Sequence, residues 1–162
     1  MDDPISRARV EAFFAAFATR DAGKVSEFID DDVEWTISGP VDILPFCGTY
    51  HGKANMLDLM QHRVPAVLRV FHFVPDAFLI DGNQAATLTR LSARRTADGR
   101  VISYRVANFF KFRDGKVISN LSLLDSFDAV EQVIGHRLDV HDGEDANSAD
   151  LPELADGGLV AL

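Results

Sequence analysis

The chain is poor in several residue types that would decide its chemistry at once. Among 162 residues it has one cysteine, one tryptophan and two tyrosines, and 16 Lys and Arg against 25 Asp and Glu. Cys47 has no second cysteine in the chain to pair with, which excludes an internal disulfide framework and a thiolate metal cluster built by one chain. No stretch approaches the roughly eighteen apolar residues that a membrane-spanning helix needs. Met1-Asp2-Asp3-Pro4 is acidic where a secretory signal is basic, so a cytoplasmic protein is expected. The net charge of -9 repels phosphates and anionic lipid, which argues against nucleic acid and membrane as partners. No Gly-rich nucleotide loop or nucleophile elbow is present, His136 and His141 lie off helical ligand spacing, and His51, His62 and His72 form no motif. Neither a metal nor a cofactor is expected.

The acidity is concentrated at one end. Asp139, Asp142, Glu144, Asp145, Asp150, Glu153 and Asp156 fall within residues 139–162, where no Lys or Arg occurs. The organisation expected is one domain over residues 1–135, followed by an acidic tail over 136–162. The 47% hydrophobic content is ample for one core.

From Pro4 to Thr19, Ile5, Val10, Phe13, Phe14 and Phe17 recur at helical spacing. A second short helix is predicted over Lys24 to Ile29, ended by Asp30-Asp31-Asp32. Val33, Trp35 and Ile37 then alternate with polar residues, as in a strand with one buried face. A loop over 41–52 leads into a third helix carrying Met56, Leu57, Met60 and Val64, which Pro65 should end or kink. Beyond Val70 the chain is rich in Val, Ile, Phe and Thr and is divided by Asp81-Gly82, Asp98-Gly99 and Asp114-Gly115. Three such turns predict a four-strand meander over 70–80, 84–96, 101–113 and 116–124. Asp125 or Ser126 then caps a last helix running to Gly135.

This order resembles one superfamily, and so do three pieces of sequence. They are Phe28-Ile29-Asp30-Asp31-Asp32-Val33-Glu34-Trp35, the loop Pro45 to Gly52, and Phe110-Lys111-Phe112-Arg113-Asp114-Gly115-Lys116-Val117. Over residues 5–135 the chain is similar to the SnoaL-like, ketosteroid-isomerase-like domains of the nuclear transport factor 2 superfamily. The resemblance implies an α+β cone: a strongly curved antiparallel sheet wrapped around three N-terminal helices. It implies a deep pocket, and a homodimer formed through the outer face of the sheet. Members include isomerases, cyclases, dehydratases, epoxide hydrolases and plain ligand binders, so the fold does not select an activity.

Matching to the steroid isomerases places Phe13, Ile37 and Asn108 where that group has a tyrosine, a basic aspartate and a neutral acid. Only Asn108 keeps a polar group. Matching to the epoxide hydrolases keeps Arg90 but puts Ser92 and Ser122 in place of two aspartates. If Asn108 faces inward, alternation sends Tyr104, Val106, Phe110 and Phe112 the same way. The resemblance adds Asn120 and Ser122, Leu88, Arg90 and Ser92, and the wall residues Phe13, Trp35 and Ile37. Such a chamber suits a small hydrophobic molecule with one or two oxygens.

Each polar candidate has a structural reading beside the functional one. Asn108 is either an oxyanion donor or an amide satisfied by its surroundings. Arg90 either binds a ligand oxygen or pairs with a neighbouring acid, and Asn120 and Ser122 either orient a ligand or bond to each other's neighbours. His72, if inward with Val70 and Asp76, is a candidate general base; otherwise it sits at a rim or interface. Trp35 and Phe110 are pocket wall, and Tyr50 lies in a loop expected at the mouth. Three functions remain open at this point. One is a cofactor-independent isomerase, cyclase or dehydratase using Asn108 with His72 or Tyr104. The second is a binder without catalysis, and the third an interaction module whose pocket is filled by its own side chains or tail.

Overall fold

Helix α1, Arg7–Ala18, starts where the Ser6 hydroxyl accepts the Arg9 N–H at 3.2 Å, satisfying a backbone donor that the first helical turn leaves open. It buries Val10, Phe13, Ala16 and Phe17 on one face. Asp21 caps the short α2, Ala22–Ser26, by accepting the Lys24 N–H at 3.0 Å. The computed structural model describes residues 4–139. The acidic tail predicted over 136–162 therefore lies, from residue 140 on, outside the described residues.

Strand β1, Ile29–Ser38, takes in the three aspartates expected to end a helix. Ile29 already pairs with Val117, and a bulge separates that pair from the regular register Glu34↔Ser119 to Ser38↔Leu123. Tertiary pairing thus overrides the helical spacing of Phe28 and Ile29. The loop before the third helix contains a further strand, β2, Gly48–His51, paired antiparallel with β1.

Helix α3, Lys53–Asp58, continues through a π turn, Leu59–Arg63, into α4, Val64–Val67. Pro65 does not end the helix. Its missing N–H and its ring are absorbed because the preceding turn is widened, with the Val64 N–H reaching back to the Leu59 carbonyl.

The meander follows as β3 Leu68–Asp81, β4 Gln84–Arg95, β5 Val101–Arg113 and β6 Lys116–Leu124. The spatial order is β2-β1-β6-β5-β4-β3, with every pair antiparallel except β1 and β6. Of the three Asp-Gly dipeptides, Asp114-Gly115 forms the two-residue turn with both residues at positive φ, 51° and 73°. The others sit differently: Gly82-Asn83 is the loop between Asp81 and Gln84, while a four-residue loop joins Arg95 to Arg100.

Helix α5, Ser126–Ile134, ends at Gly135 in the left-handed region. Asp125 stands at its start but makes no side-chain cap; its carboxylate lies 3.5 Å from Arg105 instead. The helix seals the end of β5 that β6 does not reach. Gln132 accepts the Ser103 N–H at 2.8 Å and donates to the Ser103 carbonyl at 2.7 Å, so a side-chain amide replaces a neighbouring strand.

The result is the expected α+β architecture, an open, curved, mainly antiparallel sheet with helices against its inner face. Between the layers lies an aromatic core. Phe13 is fully buried, and Phe14, Phe17, Phe28, Phe110 and Phe112 surround it with ring centroids 5.2–6.2 Å away.

Candidate functional site

On β5 the buried residues Ile102, Tyr104, Val106, Asn108, Phe110 and Phe112 alternate with half-buried or exposed neighbours. Their partners across the hairpin are Ala93, Leu91, Thr89, Thr87 and Ala85 on β4. The four-residue loop between these strands is even in length, so facing residues have opposite parity. Thr87, Thr89 and Leu91 therefore share the inner face with Asn108, whereas Leu88 and Arg90 do not. On the β6 side a bulge between Lys111 and Phe112 makes the parity equal again. Asn108 pairs with Ser122 and Phe110 with Asn120.

These placements bring four polar side chains together. The Asn120 amide donates to the Ser122 hydroxyl at 2.9 Å, and Ser122 donates to the Asn108 carbonyl oxygen at 2.7 Å. The Asn108 amide in turn donates to Thr87 at 3.2 Å. All four residues are buried. Asn108 spends one amide hydrogen on Thr87, which leaves the other uncommitted at the cavity wall. Asn120 lies behind Ser122 rather than on the cavity, and its own carbonyl oxygen has no partner among the described residues.

Above this row lies a cavity of about 70 Å³, bounded by the sheet, α1 and the α3–α4 segment. Among the described residues its lining is apolar apart from Arg20, Tyr104, Asn108 and Ser122, and it contains no Asp, Glu or His. Trp35 stacks on Phe17 at 5.8 Å and meets Phe110 edge-on at 5.9 Å, forming one wall. The Tyr104 phenol is held protonated well above its ordinary range, first by burial and then by the Cys47 sulfur. It can donate a hydrogen bond but not act as a base. Burial also pushes the Cys47 thiol up to about 11, which leaves it inert at neutral pH.

Besides Asn120, three expected site residues stand elsewhere. His72 is exposed on the outer face. A bulge between Val70 and His72 shifts the inward phase of β3, so that Val70 and Phe73 line the cavity in its place. A second bulge between Pro75 and Ala77 leaves Asp76 exposed as well. Arg90 is exposed opposite Arg105, outside the chamber. Tyr50 is buried beside the cavity but does not border it, and its hydroxyl donates to the Phe46 carbonyl at 2.8 Å.

Sequence reasoning missed Arg20, Leu91, and the Met56, Leu59 and Met60 face of the α3–π segment as cavity lining. Only the position of Arg20 after the Phe13–Phe17 stripe hints at that place. Parity across an even loop would have found Leu91.

The match of a SnoaL-like domain family model to residues 10–120 agrees with this geometry. A candidate isomerase from Rhodopseudomonas palustris is 29% identical, covering 82% of this chain and 100% of its own, with a TM-score of 0.73. A nuclear transport factor 2-like protein of unknown function from Burkholderia pseudomallei is 21% identical (78% and 95% covered, TM-score 0.69). A ketosteroid-isomerase-like protein from Catenulispora acidiphila, in complex with trimethylamine, is 14% identical (81% and 95% covered, TM-score 0.64). No curated protein matches the chain. The family match over most of the described residues, together with the likeness to these solved structures, means that the chain belongs to the SnoaL-like domain family of the nuclear transport factor 2-like fold.

Proposed function

We propose that the chain binds one compact, largely apolar molecule in the chamber between helices and sheet, with an oxygen of that molecule held by Asn108 and Tyr104. The observation that carries this reading is the composition of the lining. Two uncommitted neutral donors, the Asn108 amide and the Tyr104 phenol, face a space whose lining is otherwise apolar apart from Ser122 and Arg20 and holds no carboxylate or imidazole among the described residues. Such a site can hold and polarise an oxygen, but it has no group suited to taking a proton. Phe110 and Trp35 supply the apolar walls and Ser122 positions Asn108, with Asn120 behind it. An open volume of about 70 Å³ favours a compact occupant over one of steroid size.

A second reading, isomerase or cyclase action on a hydrophobic carbonyl compound, is supported by the likeness to the candidate isomerase. Polarisation of the carbonyl by Asn108 and Tyr104 would be its means.

Phenol serves as the test ligand, since it is compact and apolar with one oxygen. Val70 borders both the cavity and a groove on the outer surface, so it stands at the mouth. Val70→Phe should weaken phenol binding at least tenfold in a titration followed by NMR, because the ring occupies the way in. If phenol perturbs no amide around Asn108, Tyr104 and Phe110, the reading fails.

The proposed assembly is a homodimer through the outer face of the sheet, in the cytoplasm. Leu79, Ala86, Phe109 and Leu121 form one cross-strand row on that face, and Leu88, Ala107 and Leu123 the next. Leu79 is 74% exposed and Phe109 49% exposed, in a contiguous apolar band that free monomers rarely carry. Phe109→Asp should convert a dimer to a monomer in light scattering coupled to gel filtration. A wild-type chain that is monomeric at micromolar concentration would count against the dimer.

A further inference from the structure

Arg20 is placed unusually for a cation. Its backbone is in the left-handed region, at φ 57°, directly after α1. Its guanidinium lies over the rings of Phe17 at 4.9 Å and Phe73 at 5.2 Å, both of which line the cavity. Contact with those rings occupies a face of the guanidinium and leaves its in-plane N–H groups unused. Among the described residues Arg20 has no hydrogen-bonded or ion-paired acid. Burial pushes it down to about 10, so it stays charged at neutral pH, and no neighbouring carboxylate offsets the shift. With Met60, Val64 and Val70 it borders both the cavity and the outer groove. Arg69, the other arginine of that groove, does not reach the cavity lining.

Arg20 is half-buried, and its guanidinium, held against aromatic rings with no acid partner among the described residues, is free to meet an anion. We propose that Arg20 is the anion-recognition residue of this cavity, so that the ligand class is a small apolar monocarboxylate whose carboxylate pairs with Arg20 at the mouth while its body fills the chamber. The inference rests on the ligand-binding reading above and narrows it. The planar guanidinium can offer two parallel N–H groups to the two oxygens of a carboxylate, and low local dielectric strengthens that pairing relative to a surface site. A neutral ligand of the same shape would leave those donors unpaired.

The test compares 4-hydroxybenzoate with the neutral 4-hydroxybenzamide by calorimetric titration, with phenol as the reference ligand. Wild type should bind the benzoate at least tenfold more tightly than the benzamide. Arg20→Met, which keeps an apolar stem against the rings but not the charged head, should abolish that preference. Arg20→Lys should retain part of it, and Arg69→Met all of it. Melting temperatures of the variants report whether each is folded. If phenol binds but the two hydroxybenzene derivatives are bound equally by wild type, or if Arg20→Met keeps the preference, Arg20 is not the anion site and the pocket reading survives. If phenol does not bind wild type, the pocket reading falls and the assignment of Arg20 falls with it.

Discussion

Replacing Phe13 by alanine should lower the unfolding free energy by about 3–5 kcal/mol, the range for removing a fully buried aromatic side chain. Phe13 has no exposed surface, and five other phenylalanine rings lie within 6.2 Å of its own, centroid to centroid. They come from α1, the α2–β1 junction and β5, so a void there would not be closed by moving one element. Against a total stability of about 5–15 kcal/mol, such a loss would take a large share of the margin. Urea unfolding followed by circular dichroism measures it. Phe127→Ala is the control, since Phe127 is 54% exposed and should change stability by less than about 0.5 kcal/mol. A cost for Phe13→Ala below about 1.5 kcal/mol would mean that the ring cluster is not the structural centre of the domain.

Asn108→Asp should give a protein whose stability depends steeply on pH where the parent's does not. A protonated aspartic acid can replace the amide, accepting from Ser122 on one oxygen and donating to Thr87 from the other. In acid the variant should therefore lie close to wild type. Ionisation places a charge among Phe110, Val106 and Leu91, with Arg20 the cation lining the same cavity. Desolvation of this kind raises a carboxyl by about 2–3 units from its ordinary value near 3.9. A folded-state value raised above the unfolded one means that stability is intact below about pH 4 and is lost as pH rises through the folded value. The loss is about 1.4 kcal/mol per unit, or about 3–4 kcal/mol by pH 8. Urea unfolding at several values from pH 4 to 8 reads this out. A difference from wild type that stays flat across the range would show that the position is open to water and would undercut the chamber's apolar character.

How much of this was legible in the chain differs element by element. The boundaries of β5 and β6 follow from their alternation and from Asp114-Gly115, because a two-residue turn needs positive φ and alternation at period two is local information. The inward face of β5 follows in turn, which groups Tyr104, Asn108 and Phe110; Ser122 joined them only through the resemblance, because the two-residue turn alone sets Leu121 opposite Asn108 and the bulge after Lys111 brings Ser122 there instead. Phase was lost on β3 and β4. The run Val70-Phe71-His72-Phe73-Val74 has no polar alternation to reveal a bulge, and a bulge after Val70 moves His72 from inside to outside. Arg90 was misplaced by matching to relatives, although an even loop already required the opposite parity. Strand β2 was hidden in a loop because Gly48–His51 is too short to show a period.

What the sequence alone determined is a set of short-range facts: an amphipathic helix with a phenylalanine stripe, a meander and a single cysteine. Each depends on residues within one turn or one hairpin of each other, or on simple counting. Only the tertiary structure decided that Asn120, Ser122, Asn108 and Thr87 join in one hydrogen-bonded row, that His72 and Arg90 face outward, and that Arg20 stands at the mouth with no acid partner among the described residues. Those outcomes depend on bulges, on loop parity and on the approach of elements distant in sequence. A one-residue shift of strand phase exchanges every inner side chain for an outer one, and nothing in the local pattern of β3 records where that shift occurs.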